Sequence, residues 1–522
     1  MPVAVSRTPG RRAVSGAVAV TKSRPPPIKG WNTVLSMDGM KPEWAVTLDN
    51  WFPQPGYIEP RGGRASHCAT GNAADVESLM AYQGLAALDD KLFAAAGTVL
   101  YDATTSVPSS SLTGLANSRF QHINFTTTGG KFLYIVNGAD TRHFDGTAWA
   151  TPAITGIVTA DIVHINIHKN RIWFTMKNST KAAYLPVDSI QGAAVTLELG
   201  AVFPNGGYLM AMGTWSRDTG TGPDDFAVFI SSEGDLAVYA GTDPSDATKW
   251  KIVNVYEVGP PMGRRCFTKI GSDLGIITID GVLPMSQIPG IERGAAGRIS
   301  LTANIQPSMN TVARAGKDLF GWQLLSYPRG TMAILNVPLT TGDTQQFVMN
   351  TVTGGWARFL DQHAHCWETY KDRLFFGGHA GVVYEADKGS NDAGAAIVAT
   401  MKTAFDYMDE RGRQKQWTLL RPKLTTEAQL TPTVGLNVDF RDDAQPSPSL
   451  SALTGVALWD VALWDVDVWP AEQFFRNEWI TVTGVGYCAS VVMSISIDGP
   501  DGTKPLLHVN GFDFIFQPGG PM

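Results

Sequence analysis

One pattern recurs along most of the chain, at a spacing that few folds accommodate. A Lys, Arg or Asp leads an aliphatic or aromatic run, a Gly-bearing turn follows, and a second run often ends in Tyr or Phe beside Asp or Ala. Copies begin at Lys91, Lys131, Arg171, Asp225, Asp273 and Asp372, with a degenerate copy at Asp318. Successive starts therefore lie 40, 40, 54, 48, 45 and 54 residues apart. A period of roughly 40–50 residues is that of one four-stranded β-propeller blade. Each hairpin is expected to alternate apolar and polar residues and to pack one face on the next blade, since no blade buries its core alone. The sequence thus predicts an all-β chain with a β-propeller of six or seven irregular blades over residues 65–395. The wider gaps near 190–222 and 285–315 read as insertions, the second carrying the pattern of a short helix between Gln287 and Pro307. The competing fold is a sandwich whose hairpins happen to be evenly spaced.

Composition agrees with many short strands joined by turns. Of 522 residues, 54 are Gly and 15 are Trp, and only 17% are charged, against a usual share of about 25%. That excludes helical bundles and coiled coils, while a 44% hydrophobic content excludes disorder throughout. The longest uncharged stretch, Thr481 to Ile497, is shorter than a membrane-spanning helix and carries Thr, Gly, Ser and Tyr, so no stable membrane insertion is expected. Cys68, Cys266, Cys366 and Cys488 are scattered without a CxxC pair and read as buried free thiols.

The net charge of −7 is unevenly spread. Residues 1–30 hold Arg7, Arg11, Arg12, Lys22, Arg24 and Lys29 and no acid, giving +6. The rest holds 35 basic and 48 acidic residues, or −13. Arg11 and Arg12 precede Ala13–Val20 as in a secretory leader, but this apolar run is short and lacks Leu and Phe. Residues 1–30 are read instead as a basic flexible arm for assembly, with Arg7, Arg11, Arg12 and Arg24 as its contacts.

A different organisation begins at residue 396. Strand-like runs at Gln416–Thr425, Thr433–Arg441, Glu478–Val485, Ser490–Asp498 and Leu506–Phe516 predict a C-terminal β-sandwich-like domain over 396–522. Residues 31–64 are expected to pack near it. Within it, Trp459, Trp464 and Trp469 recur every five residues in a Trp-Asp repeat. Neither a straight strand nor a helix gathers that period into one stripe, so the indoles are assigned to packing or to subunit contacts.

Catalytic signatures fail one by one. Gly484-Val485-Gly486-Tyr487-Cys488-Ala489 fits a dinucleotide fingerprint, but a strand-like run follows it where a helix N-terminus is needed. His363-Ala364-His365-Cys366 offers three potential ligands; on a strand only His363 and His365 share a face, and a third would have to come from elsewhere. No HExxH, GxSxG or P-loop pattern occurs. The chain is therefore expected to be no enzyme, with no catalytic residue, metal or cofactor.

The segment from Gly30 to Arg64 adds a resemblance. Leu48, Asn50, Phe52, Pro53, Gly56, Tyr57, Arg61 and Gly62 stand in a pattern that resembles the opening of tail nozzle (tail tubular protein B) proteins of short-tailed bacteriophages. Gly354-Gly355-Trp356-Ala357-Arg358-Phe359, the Trp-Asp repeat and the ending from Gly511 to Pro521 are similar to that family too. The resemblance implies a structural protein of the virion, assembled in the host cytoplasm. Its subunits would form a homohexameric tube below the portal and adaptor rings, pass genomic DNA, and dock tail fibres or spikes. An acidic body suits a lumen from which DNA must not be held. The alternative is a propeller that binds or degrades surface glycans, which calls for two carboxylates about 5–9.5 Å apart in an aromatic-lined pocket.

Overall fold

The computed structural model describes residues 18–218, 223–426, 430–441, 450, 474–499, 504 and 506–521. Between Arg64 and Ala386, seven antiparallel sheets succeed one another around an axis, forming a β-propeller. Blades 1 to 4 are four-stranded and have Val76–Tyr82, Gln121–Thr127, Ile162–His168 and Leu209–Asp218 as their innermost strands. Blade 5 has three strands, starting at Phe267–Ile270. Blade 6 starts at Gln323–Tyr327 and blade 7 at Cys366–Tyr370, each with four strands. Blade 7 packs on blade 1, closing the ring. Its outermost strand comes from the other end of the propeller segment: Arg64–Ala69 pairs with Val382–Ala386.

The pattern seen in the sequence is the second strand of each blade and the turn after it. Lys91–Ala96, Arg171–Met176 and Arg373–Gly377 are buried on both faces after their first residue, because a blade lies between two others. Their apolar runs are therefore nearly continuous, in place of the expected alternation. Turns into these strands use consecutive positive-φ residues, Lys169-Asn170 and Lys371-Asp372, as tight type I′ hairpins require.

Two expectations need correction. Most of the described part of 190–222 belongs to blades and is not an insertion: Val195–Glu198 is the outer strand of blade 3, and Leu209–Asp218 opens blade 4. The outer strand is largely exposed, which removed the apolar signal. In 285–315 the expected short helix is present, Ala296–Ile299, within a helical connection that takes the place of a fourth strand in blade 5 and ends in the helix Gln306–Gly316. The arm expected to be flexible through residue 30 is ordered in its described part, from residue 18 onward. Val20–Arg24 is a strand paired with Leu507–Pro521, where it gains backbone partners and an ion pair from Arg24 to Asp406.

The propeller and the C-terminal region share a sheet. Blade 6 continues from Trp356–Phe359 through Gly30–Trp31 and Trp44–Asp49 into Ile397–Thr403, Ala489–Ile497 and Thr433–Val438, nine strands in all. A seven-stranded sheet built on Arg413–Thr426 and Leu507–Pro521 lies against it and also takes in Trp51–Gln54 and Tyr57–Pro60. Trp417, Leu420, Phe514 and Phe516 of this sheet share one core with Leu436, Val491 and Met493 of the other. Gly30 makes the junction with blade 6 possible. Its φ is +83°, and a Cβ there would lie 2.4 Å from the Trp356 carbonyl oxygen.

Candidate functional site

A cavity of about 950 Å³ opens on the propeller axis and is lined by Glu77, Arg119, Tyr208, Arg264, Arg265 and Phe320 among others. Arg265, just before blade 5, reaches across the ring. Its Nη2 donates to the Ser78 hydroxyl (2.8 Å), the Phe120 carbonyl (3.0 Å) and the Glu77 carbonyl (3.1 Å). Arg119 donates to Glu77 Oε1 at 2.9 Å, and the Ser118 hydroxyl donates to Oε2 at 2.6 Å. The Phe320 ring receives both guanidiniums, at 4.6 Å from Arg119 and 5.1 Å from Arg265. Arg264 donates to the Met210 carbonyl (3.0 Å). Burial is the largest influence on Arg264 and Arg265, and lowers the pKa of both guanidiniums. These arginines spend donors on tying blades together across the axis, which makes the cavity a braced pocket with a cationic, aromatic wall.

A second constellation joins the N-terminal segment to the rest. Arg61 is 1% exposed, yet all five of its guanidinium N–H groups have acceptors. Nε donates to Asn50 Oδ1 (2.8 Å), Nη1 to Asp392 Oδ1 (2.9 Å) and the Gly62 carbonyl (3.1 Å), and Nη2 to Asp392 Oδ2 (2.6 Å) and the Leu360 carbonyl (3.0 Å). Asn50, at φ +58°, also donates to the Val398 carbonyl and accepts from the Leu360 amide. Gly63 passes so close that a Cβ would lie 2.0 Å from the Asn391 carbonyl oxygen. Leu48, Phe52, Trp51 and Ile58 complete the contact as fully buried core. Asn50, Arg61 and Gly62 thus form a latch between propeller and sandwich.

Of the residues singled out beforehand, Trp459, Trp464, Trp469, Arg7, Arg11 and Arg12 lie outside the described residues. Arg24 is ion-paired with Asp406 and, at 3.1 Å, with Asp409. All four cysteines are buried and free. Gly484 to Ala489 joins two strands, Ile480–Gly486 and Ala489–Ile497, so no helix N-terminus follows these glycines. Among the described residues, no helix is long and apolar enough to cross a membrane.

The histidine motif is arranged differently from the expected strand. His363 has a φ of +47° and its Nδ1 lies 3.2 Å from Asp343 Oδ1. His365 reaches His379 and Asp75, and the His363 ring lies 5.6 Å from that of His379. The expected pair of His363 and His365 is therefore not what gathers: two groups, 14 and 290 positions from His365 along the chain, join it instead, beyond any local spacing rule.

No family model matches the chain, and no curated protein matches it. Solved structures do. The chain is similar to the extracellular domain of a hybrid two-component system protein of B. thetaiotaomicron, at 12% identity and a TM-score of 0.38. That match covers 63% of this chain and 41% of the other, so the chain spans less than half of that protein. It is also similar to YCF48 solved with a D1 peptide (10% identity, TM-score 0.38, 66% and 98% covered). Sqt1 of Saccharomyces cerevisiae is a third (10% identity, TM-score 0.36, 62% and 98% covered). Likeness at this level carries no functional argument.

Proposed function

We propose that this protein is a structural subunit of a short phage tail, a nozzle protein that assembles as a homohexameric tube below the portal and adaptor. In that role it conducts DNA and docks fibres or spikes, as a component of the virion. The observation that carries the reading is the latch. Asn50, Arg61 and Gly62, which stand in the nozzle-like pattern, are buried in joining propeller to sandwich. Burial of these positions at a domain joint supports the reading, because a pattern common to structural subunits is expected to encode architecture. Supporting this, Val20–Arg24, which follows the most basic part of the sequence, is held as a strand on Leu507–Pro521.

Electron microscopy of the purified full chain tests the reading. Six-fold rings or short tubes are expected, and dispersed single particles at every concentration would contradict it.

A second reading rests on the axial cavity, whose wall combines Tyr208, Phe320 and Trp322 with Arg119 and Arg264. A glycan ligand stacks on aromatic rings and hydrogen-bonds to such donors. Binding to a glycan array, abolished by Tyr208→Ala, would support it; no binding by the intact chain would count against it.

A further inference from the structure

Asp75, His365 and His379 bring one ligand atom each to a single point, all within 4.8 Å of one another. His365 Nε2 lies 3.3 Å from His379 Nδ1 and 3.4 Å from Asp75 Oδ2, and His379 Nδ1 lies 3.1 Å from Asp75 Oδ1. Ligands about 2.0–2.1 Å from a tetrahedral zinc ion are separated from each other by roughly 3.3 Å. The two imidazole nitrogens have that separation, and the Asp75 carboxylate offers one oxygen to each of them.

The arrangement is held by backbone. The His365 amide donates to the Gly377 carbonyl (2.9 Å), and the Val76 amide, next to Asp75, donates to the Gly378 carbonyl (3.0 Å). Cys366 Sγ donates to the Val76 carbonyl at 3.3 Å. His379 sits in the tight turn before Ala380, whose amide donates to Asp75 Oδ1 at 3.2 Å, an outer contact of the kind that orients a ligating carboxylate. Each ligand is thus fixed before any ion arrives.

Hydrogen bonding alone accounts for the cluster less well. Both imidazoles can donate to the one carboxylate, but then two ring N–H groups face each other at 3.3 Å. A cation uses the same three lone pairs without that conflict.

We propose that Asp75, His365 and His379 bind a zinc-class divalent metal ion across the joint between blades 7 and 1. Two imidazoles and one carboxylate are a borderline donor set suited to such an ion. His379 and Asp75 are part-exposed, at 46% and 35%, so ions enter from solvent and the fourth position faces it. The site lies on the seam where the ring closes, which the Arg64–Ala69 strand also spans, and an ion there staples the first blade to the last. The inference is independent of the assembly reading.

The test is calorimetry of the chelator-treated full chain with zinc chloride alone, together with the visible spectrum of the cobalt-substituted protein. One ion per chain is expected, with the intense cobalt absorption of a tetrahedral site and a melting temperature raised by zinc. His379→Ala and Asp75→Asn, both at part-exposed positions, are expected to weaken binding by about 100-fold or more, while His508→Ala leaves it unchanged. If either ligand variant fails to fold, the cobalt spectrum of the unaltered chain decides. Weak octahedral absorption, no stoichiometric ion, or equal binding by His379→Ala would overturn the proposal.

Discussion

Arg61 and Asp392 meet through two parallel hydrogen bonds, at 2.6 and 2.9 Å, although 331 residues separate them in sequence. Both side chains are buried, and the guanidinium has no donor left over. Removing one partner of such a pair strands the other charge, at a cost of about 3–5 kcal/mol. Arg61→Met is therefore expected to lower the unfolding free energy by that amount in urea titrations. Arg61→Met combined with Asp392→Leu should recover part of the loss. A change below about 1 kcal/mol for the single variant would show that the latch is dispensable.

Two glycines separate backbone strain from steric exclusion. Gly56 has φ +95° with open space around it, whereas Gly30 has φ +83° with the Trp356 backbone against it. Gly56→Ala should cost roughly 1–2 kcal/mol, the strain alone. Gly30→Ala should cost more, because blade 6 must move away from the N-terminal strand. Thermal denaturation of the two variants side by side checks the order; equal shifts would refute it.

The strand Val20–Arg24 covers an edge of the Leu507–Pro521 strand. Deleting the chain through Arg24 uncovers that edge and leaves Asp406 and Asp409 without their arginine partner. Aggregation followed by light scattering is expected. Arg24→Ala alone should cost about 1 kcal/mol or less, as part-exposed ion pairs do. A deleted chain as soluble and stable as the intact one would contradict this role.

Acid should weaken the propeller through its buried histidines. Burial, aided by the Arg264 charge, pushes His164 down to about 3. His168 falls to about 4, burial leading and Lys169 adding to it, with Asp225 and a Gly241 backbone contact opposing. Both folded values lie below the ordinary 6.5, so the unfolded chain takes up protons first. Their contribution is fully present above about pH 6.5 and drains away as the pH falls toward the folded values, by a few kcal/mol in all. Replacing both with Asn should flatten the stability profile over that range. An unchanged slope would rule these groups out as its source.

The propeller was legible because its second strands are buried on both faces and therefore apolar throughout. The innermost strands were not. Ile162–His168 carries His164, Asn166 and His168, and Gln121–Thr127 is only part-buried along most of its length, so neither stood out from loop. The degenerate copy at Asp318 began one strand too early: Gln323–Tyr327 is the first strand of blade 6, and Met332–Thr340 is the equivalent of the other starts. Arg61 was noticed only as part of a pattern, since its partner Asp392 lies far away in sequence. Asp75 and His379 carry no local signal for the same reason. Ring closure brings ends of the chain together, and such pairs leave no local spacing to read.

The mass of the particle in solution, measured by light scattering on the purified full chain across a range of concentrations, bears most directly on the assembly role. A species of six times the chain mass, reduced by Arg61→Met in step with its loss of stability, is the expected result. A chain that stays monomeric, alone and with a tail adaptor present, would contradict it.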